Sequence, residues 1–331
     1  MNVLVMGGAG YIGSVTVAHL VARGDRVVVG DNLATGHRRA VGNDVSFEQV
    51  DLRETDRLAT IMKEHDIEAV VHFAAASLVG ESMADPAKYF DNNVAGSLSL
   101  LRAMNAAGVE RIVFSSTAAT YGEPTSVPLR EDHPTHPTNT YGLTKLMIEQ
   151  AMRCWADAYG LQFVALRYFN ACGAIPTRGE DHRPETHLVP LVLQVAQGKR
   201  ASINVFGTDY DTPDGTCIRD YIHVADLAEA HLAALDYMTD GGKPLICNLG
   251  SGAGFSVRQL IDTCAAVTRR PIAVVEGPRR AGDPSRLIAD ATLARKVLGW
   301  QPSRPELETI IADAWRWHEA NPDGYGSPSQ G

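Results

Sequence analysis

Over the first half of the chain, short unbroken apolar runs alternate with longer stretches whose apolar residues recur at helical spacing. Val3, Leu4 and Val5 carry no polar interruption, the mark of a strand buried on both faces. Val15, Ala18, Val21 and Ala22 follow at helical spacing, and Gly24 stands where a left-handed residue would stop that helix. The rhythm continues, with strands expected at residues 26–30, 45–50, 68–75, 111–115 and 162–167. Helices are expected at 54–65, at 86–107 closed by Gly108, and from Tyr141 onward. Such alternation predicts an α/β fold, a doubly wound parallel sheet with right-handed crossovers.

Beyond Gly173 the rhythm loosens. Residues 174–186 are rich in proline, glycine and charge, and 205–219 contain another polar loop. The pattern divides the chain into a nucleotide-binding domain over 1–172 and a smaller C-terminal substrate-binding lobe over 173–331. Residues 225–250, helix then strand, could rejoin the main sheet, and 322–331 read as a frayed tail.

Doubly wound sheets bind ligands at the carboxyl ends of their strands. Gly7, Gly10 and Gly13 lie between the first strand and the first helix, with Tyr11 and Ile12 among them. Glycines there permit a sharp turn and close approach to a pyrophosphate, and the helix start offers free N–H groups, as in Rossmann-like folds. Asp31 ends the second strand about twenty residues on, where a carboxylate accepts from a ribose 2′-hydroxyl and repels a 2′-phosphate. NAD is favoured over NADP. Asp51, Phe73, Ala74, Ser115, Ser116, Thr117, Phe169 and Asn170 end strands on the same rim.

Composition excludes several other classes. A 331-residue chain that is 45% hydrophobic and 21% charged has the make-up of a soluble globular protein. Its formal net charge of -9 argues against nucleic acid or an anionic membrane as the main partner. Cys154, Cys172, Cys217, Cys247 and Cys264 show no paired or metal-ligand spacing and read as reduced thiols. No cationic leader precedes the first strand and no apolar run is long enough to cross a bilayer, so a cytoplasmic location is expected. His133, His136, His182, His187 and His223 lack HxxxH or HExxH spacing, and no metal is expected.

Tyr141 and Lys145 stand four residues apart, on one face of the helix that Asn139 or Thr140 can cap. A phenol is a poor base at neutral pH. A fixed ammonium nearby, with the positive ring of an oxidised nicotinamide, favours the phenolate by direct charge interaction. Such a phenolate can take a hydroxyl proton, and the hydroxyls of Ser115, Ser116 and Thr117 can hold the reacting oxygen.

Together, the GxxGxxG at Gly7, Gly10 and Gly13, Asp31, the hydroxyl-rich strand end and the Tyr141–Lys145 pair resemble the extended short-chain dehydrogenase/reductases. Within them the chain is most similar to the UDP-glucose 4-epimerases (UDP-galactose 4-epimerases). The likeness is carried by Asp31-Asn32-Leu33, His72-Phe73-Ala74, Asp91-Asn92-Asn93-Val94, Arg167-Tyr168-Phe169-Asn170 and the run from Asp214 to Val224, with Arg279, Arg280 and Asp283 extending it. It implies reversible inversion at the sugar's C4 through a 4-keto intermediate, with NAD bound throughout. Tyr141 would be the base, Lys145 would lower its pKa and hold the nicotinamide ribose, and Thr117 would bridge to the C4 oxygen. Asn32, Asp51, Leu52, Phe73, Ala74, Asn92, Ser115 and Phe169 would line the cofactor. Asn170, His187, Leu188, Asn204, Phe206, Arg219, Arg280, Asp283 and Leu287 would face the UDP-sugar; guanidinium forks suit a diphosphate.

Three positions depart from the family pattern. Ser77 replaces a lysine near the nicotinamide, His187 replaces an asparagine beside the substrate phosphates, and Leu287 replaces a large tyrosine around the C2 substituent. The smaller Leu287 suggests tolerance of N-acetylated UDP-hexosamines. Ala118 and Ala119 occupy the places of the proton-transferring pair of a 4,6-dehydratase, and neither can move a proton. Epimerases of other UDP-sugars and a non-catalytic NAD sensor are the remaining alternatives. The resemblance also implies a homodimer through residues 86–107 and 141–158; Leu98, Leu101, Met104, Met147, Ile148 and Met152 either supply its apolar face or face the subunit's own core.

Overall fold

The computed structural model describes residues 1–280 and 282–326. Six parallel strands form in chain order: β1 (Asn2–Met6), β2 (Arg26–Asp31), β3 (Ser46–Gln49), β4 (Ala69–His72), β5 (Arg111–Thr117) and β6 (Gln162–Tyr168). A seventh, Leu245–Leu249, pairs in parallel with β6 at the sheet edge. The order across the sheet is Leu245–Leu249, β6, β5, β4, β1, β2, β3, so the direction of winding reverses beside β1. That reversal opens the crevice in which a doubly wound sheet binds its ligand.

Period-two alternation explains why these strands are apolar throughout. Val3, Val5, Val27, Val29, Val113 and Val164 face one layer, covered by the helices Tyr11–Arg23 and Val224–Thr239. Leu4, Met6, Val28, Val70, Ile112, Phe114 and Phe163 face the other, under the helices Thr55–Glu64, Gly96–Ala107 and Thr140–Tyr159. Both faces are buried, so both need apolar side chains.

A further core lies beyond the sheet. Val189, Val192 and Leu193 pack with Leu260, Ile261 and Cys264 and with Ile310, Ile311 and Ala314, from the helices Leu188–Ala196, Val257–Thr268 and Leu307–Ala320.

Three local expectations differ from the structure. The helix expected over 86–107 is interrupted: a turn at Pro86–Tyr89 passes into a wide π-helical segment, Phe90–Ala95, before Gly96–Ala107. The interruption lets Asn93 turn inward, where its side chain bonds both the N–H and the carbonyl of Ala76. Residues 205–219 are not wholly loop, because Ile203–Phe206 and Ile218–Arg219 are strands. The tail is not frayed over 322–326: Tyr325 stacks on Trp317 and His37 and bonds Gly179 and Asp181. Residues 327–331 lie outside the described residues.

Candidate active site

β1 gives way to its helix through a turn with room only for hydrogen at its glycines. Gly7 has a φ of 79°, and a Cβ there would stand 2.5 Å from the Ala74 nitrogen; one at Gly13 would collide with the Gly7 carbonyl oxygen. The turn thus lies directly against the end of β4 at Phe73 and Ala74. The Gly10 N–H bonds the Gly7 carbonyl at 3.2 Å, and the helix start carries no side-chain cap, leaving the N–H groups of Tyr11, Ile12 and Gly13 to an anion. Asp31 is buried, its Oδ2 accepting from the Ala9 N–H at 3.0 Å and its Oδ1 from the Leu33 N–H at 2.8 Å. Burial pushes its carboxyl up, and those two donors oppose the rise. Further along, Asn32 donates to Asp51, whose carboxylate is held well below the usual range by Arg53. Leu52 is buried beside them against Gly96. An uncapped helix start, an obstruction-free glycine cradle and a fixed acid at the end of β2 fit the pyrophosphate and ribose of NAD.

Asn139 accepts from the Gly142 N–H at 2.8 Å, capping the helix that presents Tyr141 and Lys145 on one face. Lys145 is 2% exposed; its Nζ donates to the Ser115 carbonyl at 2.7 Å, 4.8 Å from the Phe114 ring centroid and 5.9 Å from that of Tyr141. Burial pushes Lys145 down to about 7, with Glu149 pulling the other way. Burial likewise pushes the Tyr141 phenol up to about 12, opposed by hydrogen bonding from Thr117. In the protein alone desolvation dominates, and Nζ is turned to a carbonyl; the expected phenolate calls on the lysine together with the positive ring of the oxidised nicotinamide. Positive charge placed against the phenol must overcome that burial.

Beneath the pair runs an ionic network that periodicity does not reveal. Glu149, one turn beyond Lys145, accepts from Arg167 Nε at 2.9 Å, Arg167 Nη2 at 2.5 Å and Ser116 Oγ at 2.5 Å. The Arg167 guanidinium covers the Tyr121 ring, and the Tyr121 hydroxyl donates to Asn248 at 2.7 Å. Ser115 bonds the Tyr168 hydroxyl. Asn92 flanks this rim, donating to Asn93 at 3.0 Å. The sequence signal was an acid at the fourth position after Lys145 on a helix face otherwise apolar.

On the opposite wall, Leu287 packs with Phe169, Ala118, Tyr121 and Leu129, placing it against the end of β5 where Thr117 stands. Its strand, Arg286–Leu287, pairs Leu287 with Arg219. Arg219 donates to Asp283 at 3.2 Å and to the Ile218 and Pro284 carbonyls. Asn170 donates to the Asp220 carbonyl, and buried Asp220, not singled out from sequence, accepts from Ser251, Gly252 and Ala289. Asn204 and Phe206 are exposed on one side of their strand, and the Arg280 guanidinium lies 4.4 Å from the Phe206 centroid. Ala281, between Arg280 and Asp283, lies outside the described residues.

His187 precedes Leu188 at the start of the helix Leu188–Ala196, but its Nδ1 is committed to Glu180 at 2.7 Å and Glu185 at 3.2 Å. His182 joins them, so two of the histidines expected on separate segments share one cluster. The helical spacings searched for do not describe a loop. His223 lies elsewhere, its Nδ1 accepting from the Ala225 N–H to cap the helix Val224–Thr239.

Most of the candidates for a dimer face turn inward. Leu101, Met104, Ile148 and Met152 are at most 2% exposed and belong to the subunit's own core, as does partly buried Leu98. Of the candidates only Met147 is exposed; Val79, Met83, Phe90 and Leu143, on the same helices and the one before them, are exposed apolar residues as well.

Comparison with known proteins agrees with this geometry. The family described as NAD dependent epimerase/dehydratase matches residues 3–250. The chain is 54% identical over 329 residues to the UDP-glucose 4-epimerase of Lacticaseibacillus casei, covering 98% of this chain and 99% of that one. The UDP-glucose 4-epimerase of Brucella ovis in complex with NAD superposes with a TM-score of 0.93 at 47% identity, over 95% of this chain and 97% of that one. That of Bifidobacterium longum with NAD+ and UDP gives 0.92 at 38% identity, over 98% and 100%. The chain belongs to the NAD dependent epimerase/dehydratase family, and its likeness to the UDP-glucose 4-epimerases runs over its full length.

Proposed function

We propose that this protein interconverts UDP-glucose and UDP-galactose by inverting C4, with NAD retained between turnovers. The observation that carries this is the convergence of Thr117, Tyr141 and Lys145 at the rim, beside a glycine turn that fits NAD. NAD, when bound, supplies the two-electron acceptor that oxidises C4 and returns the electrons. Tyr141 takes the proton of the 4-hydroxyl at its phenolic oxygen and returns it to the C4 oxygen when the keto group is reduced. Thr117 holds the C4 oxygen, and Lys145 supplies the positive charge that makes the phenolate accessible. The described residues of 173–326, apart from the returning helix and strand, form the sugar-side lobe. Asn170, just before it, and Asn204, Phe206, Arg219, Arg280 and Asp283 within it hold the uridine diphosphate, with Leu188 among the sugar-side residues.

The leucine at 287, packed with Phe169 against Ala118, Tyr121 and Leu129, favours a second substrate range that includes N-acetylated UDP-hexosamines. Absence of turnover of UDP-N-acetylglucosamine, where UDP-glucose is turned over, would exclude it. The exposed apolar set at Val79, Met83, Phe90, Leu143 and Met147 supports a homodimer, which light scattering at micromolar concentration checks. No described helix is long and apolar enough to cross a membrane; we place the enzyme in the cytoplasm, in galactose metabolism.

The direct test is incubation of the purified protein with UDP-galactose, without added NAD, following UDP-glucose by chromatography. Conversion supports the assignment. No conversion even with NAD added overturns the substrate. Tyr141→Phe should lower turnover about a thousandfold while leaving NAD content unchanged.

A further inference from the structure

Glu180, His182, Glu185 and His187 come from eight consecutive positions, and one ligand atom from each falls within 4.8 Å of all the others. Both imidazoles aim Nδ1 at carboxylate oxygens. His187 Nδ1 is 2.7 Å from Glu180 Oε1 and 3.2 Å from Glu185 Oε1; His182 Nδ1 is 3.2 Å from Glu180 Oε1 and 3.9 Å from Glu185 Oε2. Four donors around a tetrahedral ion with bonds of about 2.1 Å stand roughly 3.4 Å apart. The observed spacings, 2.7 to 3.9 Å for the imidazole–carboxylate pairs and at most 4.8 Å for any pair, bracket that value, so an ion needs donor shifts on the order of an ångström.

The charges ask for a cation as well. The Glu180 and Glu185 side chains are only 5% and 7% exposed. Two nearby carboxylates out of water must be compensated. In the structure only the two imidazoles face them; the other cations are turned away, with Arg183 bonding Asp181 and the Asp323 carbonyl, and Lys199 the Pro322 carbonyl. A polar cavity of about 410 Å³, lined by Glu180, His182, Glu185, Gln194 and Gln197, gives an ion a way in.

We propose that these four residues bind one divalent transition-metal ion, zinc by donor type, as a closed four-coordinate site. Two carboxylates cancel the charge of the ion, and two neutral imidazoles complete the set. Calcium and magnesium prefer all-oxygen donors and are disfavoured by the imidazoles. With no position left open, the ion's role is to hold structure rather than to react. It ties the start of the helix Leu188–Ala196 to a loop that touches the cofactor turn, since the His182 ring lies 6.3 Å from that of Tyr11. Ligation through Nδ1 also fixes the proton of His187 on Nε2, making that nitrogen a permanent donor.

The test uses zinc chloride alone. The purified protein is stripped with a chelator, incubated with zinc, passed through gel filtration and assayed for metal by mass spectrometry. One zinc per chain is expected, falling below about a tenth in His182→Ala and in Glu185→Gln, each shown to be folded by circular dichroism. No zinc retained by the parent protein, or full retention in both folded variants, overturns the site. Metal content is read separately from UDP-galactose turnover, so failure of one proposal leaves the other standing.

Discussion

Glu149 and Glu180 are both buried carboxylates, 1% and 4% exposed, held in opposite ways. Glu149 projects from a helix and meets Arg167 on β6 and Ser116 on β5, partners that only the register of the sheet brings beneath it. Glu180 meets His182 and His187, a few residues further along the same loop. The first carboxylate depends on the whole α/β layer being assembled. The second closes a short loop, at little chain entropy, and its imidazole partners stay 27% and 45% exposed. The charge under Tyr141 and Lys145 is locked by tertiary structure, whereas the one on the loop before Leu188 has partners that keep access to solvent.

The largest effect should come from breaking the locked pair on one side only. Arg167→Met leaves the Glu149 carboxylate buried without its guanidinium, and urea denaturation should show a loss of about 3–5 kcal/mol. A loss below about 1 kcal/mol would mean that water reaches the cluster and that the contrast is illusory.

Lys145→Met should lower turnover about a hundredfold, and its effect on stability should depend on pH. The folded chain holds this lysine near 7, against roughly 10.4 unfolded. Between those values the unfolded state binds more protons, so the parent gains stability as pH rises. Replacing the lysine should therefore help most below pH 7 and cease to help by about pH 10, as melting temperatures at pH 6.5 and 9.5 will show. A difference independent of pH would argue that the ammonium is not desolvated.

The smallest change is expected at the loop. His182→Asn in metal-free protein should cost about 1 kcal/mol or less, since the pair is partly exposed. A cost comparable to that of Arg167→Met would place both clusters in the same class.

Most of the sheet was legible because burial on both faces forces apolar runs, and segments as short and unbroken as Val3 to Val5 or Ile112 to Phe114 suit a buried strand far better than a helix. The Tyr141–Lys145 spacing and the glycines were legible because their chemistry depends on local spacing. Glu149 and Asp220 were not, since their meaning lies in partners 18 and 31 residues away that pairing alone brings near. Leu101 and Met152 could not be assigned from sequence, because an apolar helix position looks the same whether it faces its own core or a neighbour; burial settles them in the core. The wide turn at Phe90–Ala95 has no marker in periodicity, which tolerates one extra residue without losing its stripe.

The returning strand Leu245–Leu249 has a consequence for synthesis. Until residue 249 has left the ribosome, β6 is the edge of an unfinished sheet, its backbone donors and acceptors open to another chain. Residues 169–244, among them the helices Leu188–Ala196 and Val224–Thr239, must be made while that edge waits. Chains interrupted before Leu245 should accordingly be candidates for chaperone capture or aggregation, although they already contain Thr117, Tyr141 and Lys145.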